Sequence, residues 1–248
     1  MRKSIVSACL LAAGSAHSAP LVDVYGGLYT GQTALSGELS SGGTDEADVE
    51  DDLGYDDSRQ TVVYLGLEHT VPILPNLRLK HATLSDDARG EVQNTFTFNG
   101  QVFTQATNVI SSFDLDYTDL TLYYSPLDNV VKIDLGITAR QIDGDFVIEQ
   151  EGMPANRGEE SISEVIPLIH VGAYGKLPLT GFYATGEVNA VGYDGNNITD
   201  VRAGIGWVSS FLLGVELGYS QLALDVDVDD VVADIEIGGP YLALSLNF

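Results

Sequence analysis

The chain has 248 residues, with 36 Asp+Glu against 11 Lys+Arg and 44% apolar residues. That acidity excludes a nucleic-acid binder, whose phosphates need basic partners, and excludes docking on anionic lipid through a basic patch. The apolar share excludes a chain too polar to fold, and the length suits one closed β domain.

Residues 1–19 form a secretion signal that is removed. Arg2 and Lys3 make its basic start, and Ile5 to Ala13 an apolar stretch too short to span a membrane as a helix. Small residues follow in Ala16-His17-Ser18-Ala19, with cleavage after Ala16, Ser18 or Ala19. Val6-Ser7-Ala8-Cys9 loosely matches a lipoprotein box, but Lys3 lies too close and the apolar stretch runs on past the cysteine. Cys9 therefore reads as a small apolar residue of the signal. Losing the signal removes two bases and no acid, leaving 36 acids against 9 bases and no thiol.

From residue 20 to 248 the chain reads as alternating segments, and successive strand side chains point to opposite faces. Val22, Val24, Gly26 and Leu28 oppose Asp23, Tyr25, Gly27 and Tyr29. An acidic loop is expected over residues 40–58. Next, Thr61, Val63, Leu65 and Leu67 oppose Val62, Tyr64, Gly66 and Glu68, and a Pro72/Pro75 turn follows. Leu77 and Leu79 oppose Arg78 and Lys80 before a long excursion. Within it, Phe96-Thr97-Phe98-Asn99-Gly100-Gln101-Val102-Phe103 carries Asn-Gly between alternating apolar residues, a strong hairpin signal, read as a hairpin projecting beyond the membrane.

Leu120, Leu122 and Tyr124 oppose Asp119, Thr121 and Tyr123, with a turn at residues 125–129. Val131, Ile133, Leu135, Ile137 and Ala139 oppose Lys132, Asp134, Gly136, Thr138 and Arg140. A polar loop is expected over residues 143–161. Ile169, Val171 and Ala173 then oppose His170, Gly172 and Tyr174. Phe182, Ala184, Val188 and Ala190 oppose Tyr183, Thr185, Glu187 and Asn189. Val201, Ala203, Ile205 and Trp207 oppose Asp200, Arg202, Gly204 and Gly206, and Leu213, Val215 and Leu217 oppose Gly214, Glu216 and Gly218. An acidic loop over residues 225–236 precedes the last segment. There Leu242, Leu244, Leu246 and Phe248 oppose Tyr241, Ala243, Ser245 and Asn247.

Ten segments with short and long connections in alternation predict an all-β fold, a transmembrane up-and-down antiparallel β-barrel. A closed barrel is required because an open sheet edge in lipid leaves backbone groups unpaired, at several kcal/mol each. A soluble β-sandwich also alternates, but the signal, the terminal Phe and the loop rhythm favour the barrel. Tyr124, Phe182, Trp207 and Phe248 fall on the outward face at the short-turn end, as an aromatic girdle does.

The C-terminal stretch resembles the insertion signal of Gram-negative outer-membrane barrels. With Gly26-Gly27 and Gly238-Gly239, the whole segment 20–248 resembles a family of small proteobacterial outer-membrane β-barrel proteins, the type named for its Gly-Gly signature. The resemblance implies a multi-pass location in the outer membrane with periplasmic termini. It implies partners in outer-membrane lipid and lipopolysaccharide, and in the barrel-assembly machinery that reads the strand ending at Phe248. It brings no catalytic residue.

No enzyme is expected. Omptin-type proteases use an Asp-x-His pair, and none of His69, His81 or His170 has an acid two residues before it. A His-x-Ser pair is approached only by His81-Ala82-Thr83, and no Gly-x-Ser-x-Gly turn exists. His69 and His81 lie symmetrically about Pro75 and could be cross-strand neighbours, but a further metal ligand is not evident. No metal, cofactor or catalytic residue is assigned. The acids of residues 45–57 and 225–234 are hard oxygen ligands suited to divalent cations, yet lack the spacing of an EF-hand loop.

Inward charges are Asp23, Glu68, Asp119, Asp134, Glu187, Asp200 and Glu216 with Arg78, Lys80, Lys132, Arg140 and Arg202. In a ten-stranded barrel these must pair, since a lone buried charge is expensive and the interior is narrow. A structural or surface-interaction role with a mostly occluded lumen is expected. A narrow solute channel through local gaps at inward glycines, such as Gly27, Gly66, Gly136 and Gly206, is the alternative, and an outer-membrane hydrolase a second.

Overall fold

The computed structural model describes residues 22–41, 46–228 and 231–247. The secretion signal, Asp45, Asp229, Asp230 and Phe248 lie outside the described residues, so the expectations placed on them are not addressed by the fold.

Thirteen strands follow in chain order: β1 (Val22–Ser41), β2 (Ala47–Asp48), β3 (Asp57–His69), β4 (Asn76–Glu91), β5 (Phe96–Phe98), β6 (Gln101–Phe103), β7 (Asn108–Asp128), β8 (Val131–Gln150), β9 (Arg157–Lys176), β10 (Phe182–Tyr193), β11 (Asn196–Val208), β12 (Leu213–Val228) and β13 (Val231–Asn247). Ten of them, all but β2, β5 and β6, pair antiparallel with their neighbours in sequence order, and β13 closes on β1 from Tyr25↔Asn247 to Ser41↔Val231. The predicted transmembrane β-barrel is the fold. Among the described residues, no helix is long and apolar enough to cross a membrane.

The strands are longer than the alternating segments suggested, and their amphipathicity inverts along their length. At the short-turn end, outward residues are apolar and exposed, as with Leu65, Leu79, Leu135, Ile205 and Leu244. Farther up the same strands the outward positions become polar, as at Asp114, Asp143, Ser161 and Asp225, while Leu35, Leu39, Phe113, Ile148, Leu222 and Ile237 are buried inside. A band about ten residues deep therefore faces lipid, and above it the barrel continues as a water-facing wall around an apolar interior. This inversion corrects three expected loops. Residues 143–150 and 157–161 are strand, residues 225–228 and 231–236 form a paired hairpin, and β1 runs to Ser41 while β3 begins at Asp57. The apolar residues there do not face lipid, so a search for a continuous lipid-facing stripe misses them.

The Asn99-Gly100 hairpin forms, but instead of projecting beyond the membrane it folds inward, burying Phe96, Phe98 and Phe103. Its turn residues have φ of 44° and 69°, the two positive values a type I′ turn requires. The same chemistry joins β10 to β11 at Asp194-Gly195, with φ of 52° and 89°.

Tyr124, Phe182 and Trp207 lie exposed at the short-turn end, and Phe182 pairs directly with Trp207. His69 and His81 are not cross-strand neighbours. The β3–β4 register pairs His81 with Val63 and Leu67 with Leu77, which sets His81 farther up the hairpin from His69, at the level of Val63.

Candidate functional site

Two layers of buried side chains lie across the lumen. The lower layer is a quartet of two bases and two acids drawn from four strands. Arg140 donates from Nε to Asp119 Oδ1 at 2.6 Å and from Nη2 to Asp119 Oδ2 at 2.8 Å, and it also pairs with Asp200. Lys80 Nζ lies 3.1 Å from Asp119 Oδ2 and 3.0 Å from Asp200 Oδ2. All four side chains are buried, and Arg140 is 0% exposed. Its guanidinium lies 4.1 Å from the Tyr117 ring centroid, a cation–π contact on the apolar side above.

Beneath the quartet a second set crosses the barrel. Arg78 makes a two-pronged pair with Glu187, and Arg202 donates to Glu216 Oε1 at 3.0 Å, which also accepts from the Tyr241 hydroxyl at 2.6 Å. Asn189 ties this set to the wall. Its Nδ2 donates to Glu187 at 3.0 Å, and its Oδ1 accepts from Thr138 at 3.1 Å and lies 2.9 Å from His170 Nδ1. Near the short-turn end Lys132 pairs with Glu68, which also accepts from the Tyr123 hydroxyl at 2.7 Å. A cavity of about 430 Å³ opens at that end between Glu68, Arg78, Lys132, Tyr174, Tyr183 and Arg202.

Most inward glycines seat a neighbouring side chain, although Gly172 lines the cavity at the short-turn end. Five of them stand directly opposite an inward tyrosine on the next strand: Gly66 with Tyr25, Gly27 with Tyr64, Gly136 with Tyr123, Gly206 with Tyr183 and Gly218 with Tyr241. A Cβ at any of the five would collide with the facing side chain. At these five positions the glycines admit the rings that fill the barrel. Sequence reasoning placed these tyrosines on the inward face but missed that each seats over a glycine of the next strand. Their signal was present as a Tyr and a Gly in matching inward positions of adjacent strands.

The upper layer is an apolar plug. The loop after β1 sends in Val49, Leu53 and Tyr55, and the β5–β6 hairpin sends in Phe96, Phe98 and Phe103, all buried. Phe96 stacks on Phe103 with centroids 5.2 Å apart, and Phe98 meets Phe146 edge-on at 5.7 Å. Asn99 Nδ2 donates to the Glu159 carbonyl, pinning the hairpin tip to β9. Burial pushes the Tyr55 phenol up from its ordinary range.

Two acids of the first acidic loop turn inward rather than to solvent. Asp52, 2% exposed, accepts from Asp48 N at 2.9 Å and from Gln93 N at 2.5 Å, joining both halves of the plug. Asp48 Oδ1 accepts from Glu50 N and Asp51 N. Exposed Glu38 is raised by a hydrogen bond with Glu46 beside it. Asp225 and Asp234 face each other across the β12–β13 hairpin on its outer side. Among the described residues, no three His, Cys, Asp or Glu side chains gather as a metal site.

A closed barrel of this kind, with a lipid band, one end of short turns and strands that outrun the band at the other, has the fold of the outer-membrane β-barrels. The crystal structure of the outer membrane protease OmpT from Escherichia coli is similar, with TM-score 0.64 at 9% identity over 91% of this chain and 97% of that one. The transport unit of the autotransporter AIDA-I from Escherichia coli matches with TM-score 0.43 at 11% identity, over 95% and 92%. Ail, the attachment invasion locus protein of Yersinia pestis, matches with TM-score 0.33 at 10% identity, over 90% and 98%. At these identities the likeness concerns the fold alone. No protein-family model and no curated protein matches the chain.

Proposed function

We propose that this chain is a non-conducting outer-membrane barrel of the small Gly-Gly type, whose work is done by the strand ends that rise above the lipid band. The observation that carries this reading is the double closure. The Lys80-Asp119-Arg140-Asp200 quartet and the Phe96/Phe98/Phe103 plug lie in series along the same lumen. In this reading the short turns and both termini are periplasmic, and the long ends of β8, β9, β12 and β13 stand outside the cell, as in other such barrels. The outward Leu residues of β13 and Phe248 serve recognition by the assembly machinery. The outer acids meet lipopolysaccharide through diffusely held divalent cations.

The reading includes no catalysis. Supporting this, the three histidines outside the signal are engaged apart from one another. His81 Nδ1 lies 3.0 Å from Thr118 on the outer wall, His69 Nε2 3.1 Å from the Pro75 carbonyl in a turn, and His170 is buried against Asn189. The test is single-channel recording of the refolded protein in planar bilayers. Silence is expected across voltage, and steady openings would replace this reading with a narrow solute channel.

A further inference from the structure

The wall of the barrel is not level. β9 pairs with β8 along its whole length, from Glu149↔Arg157 to Val131↔Gly175. On its other side it pairs with β10 only as far as Ile169↔Ala190, and β10 itself ends at Tyr193 and turns back at Asp194-Gly195. Among the described residues, residues 157–165 of β9 thus form a sheet edge with no strand beside it, above the lipid band.

The direction of each backbone group along this edge follows from the ladder. Lys176 N bonds Val130 and Gln150 N bonds the Asn156 carbonyl, so even-numbered residues of β9 face β8. Leu177 N bonds the Phe182 carbonyl, so odd-numbered residues face the β10 side. Neither ladder carries a register shift. The N–H groups of Glu159, Ser161, Ser163 and Val165 therefore point where β10 has ended. Pro167, which has no N–H, occupies the odd position nearest the lipid, where an unpaired donor would be most costly. Glu159 O already accepts a bond from the plug through Asn99, so this side of the strand does receive donors.

The surroundings select what could pair there. On the inner side of the edge Ile162 is 50% exposed beside exposed Glu164, and on the outer side Val165 is 66% exposed beside Ser161 and Ser163. Those serines donate to Asp145 and Asp143 of β8 at 2.5 and 2.6 Å, which keeps two carboxylates on the neighbouring strand. Across the gap stand Asp194, Asp225 and Asp227, all exposed. The surface around the open ladder is acidic, with Arg157 at its far end held by Glu149 and Glu159.

We propose that this edge captures an extended, cationic polypeptide segment as an added β-strand, with alternating Lys/Arg and aliphatic side chains. The ladder supplies main-chain bonds, Ile162 and Val165 supply apolar contact, and Glu164, Asp143 and Asp145 supply charge selection. A second copy of this chain fits less well, since it would set Glu159 and Glu164 against like charges. The proposal rests on the surface-interaction reading above and names its partner class.

The experiment uses folded full-length mature protein in nanodiscs of zwitterionic lipid, with an alternating Lys-Val peptide as the probe and a Glu-Val peptide as its control. Binding is read by fluorescence anisotropy, and strand addition by hydrogen exchange. The Lys-Val peptide should slow exchange at Glu159, Ser161, Ser163 and Val165 and leave the even-numbered amides, already slow, unchanged. Ser163→Pro should weaken binding about tenfold, equivalent to roughly 1.4 kcal/mol. Ser163→Ala, which keeps the N–H, should not. Glu164→Lys leaves the backbone intact and should weaken Lys-Val binding while admitting the Glu-Val peptide, so the proposal stays testable if the proline variant misfolds. Equal binding of Ser163→Pro and Ser163→Ala would overturn strand addition and leave only counterion attraction. Equal binding of both peptides to the wild type would overturn the charge selection. Self-association abolished by Ser163→Pro would assign the edge to a second copy instead. A barrel that conducts yet passes these tests would retire the closed-lumen reading and keep the edge. A silent barrel that fails them would do the reverse.

Discussion

Arg78 on β4 and Glu187 on β10 meet across the barrel, Nη1 to Oε2 at 2.9 Å and Nη2 to Oε1 at 2.6 Å, although 109 residues separate them in the chain. Four strand-to-strand steps lie between them along the shorter way round the wall, so this pair braces the barrel from inside. Removing one partner leaves the other charge buried and unpaired, which typically costs ~3–5 kcal/mol, whereas removing both is far gentler. Glu187→Leu should therefore lower unfolding stability in lipid vesicles by about 3 kcal/mol or more. Adding Arg78→Met to it should recover much of the loss. A double variant as unstable as the sum of the singles would mean the pair is not coupled.

Tyr25 stands over Gly66, and its hydroxyl lies 2.9 Å from that of Tyr123. A methyl group at position 66 would meet the Tyr25 ring. Gly66→Ala should displace the ring and cost roughly 1–3 kcal/mol, the usual range for overpacking. Tyr25→Ala in the same chain should return part of that loss by making room. Near-ultraviolet circular dichroism reports the tyrosine environment, and an unchanged spectrum in Gly66→Ala would argue against the contact.

The lipid band and the lumen charges were legible in the sequence because both obey one rule, apolar outward and polar inward with period two. Leu135 and Asp134 illustrate it, one exposed to lipid and the other inside. The upper half was not legible by that rule. At Phe146 and Asp145 the polarity is reversed, because water surrounds the wall there and the plug fills it. The plug itself could not be foreseen. The Asn-Gly turn announced the β5–β6 hairpin but not that Phe96 and Phe103 would fold back into the barrel mouth. The network was legible as a set of charges and not as pairs, since Arg78–Glu187 depends on which strands stand opposite after closure.

Strand phase can be tested directly at Leu135, midway along the lipid-facing run of β8. Arginine at such a site costs ~2–4 kcal/mol in a bilayer. Leu135→Arg should impair folding into vesicles strongly, read by the heat-modifiable gel shift. Gly136→Ser is not a neutral control, because Tyr123 covers Gly136. Thr185→Ser, on the wall of the open cavity, is the better one and should fold as the wild type does. Equal folding of Leu135→Arg and wild type would put the wrong face in lipid.

The two proposed closures in series make a prediction that neither makes alone. The quartet of Lys80, Asp119, Arg140 and Asp200 is neutral as a set, so replacing all four by Ala removes the barrier without stranding a charge. The apolar plug still sits above it, and this variant should remain silent in planar bilayers. Shortening the β5–β6 hairpin to a tight turn removes Phe96, Phe98 and Phe103 but leaves the quartet in place below, so this variant should be silent as well. Combining the two changes should produce steady openings, with ion flow limited by the Arg78–Glu187 brace farther down. Each variant must first show the folded gel mobility of the parent. Openings from the quartet variant alone would show that the plug does not seal the mouth. Openings from the hairpin variant alone would show that the ion-pair layer is permeable. Silence from the combined variant would move the barrier to the Arg78–Glu187 level, where Glu187→Leu with Arg78→Met then becomes the decisive addition.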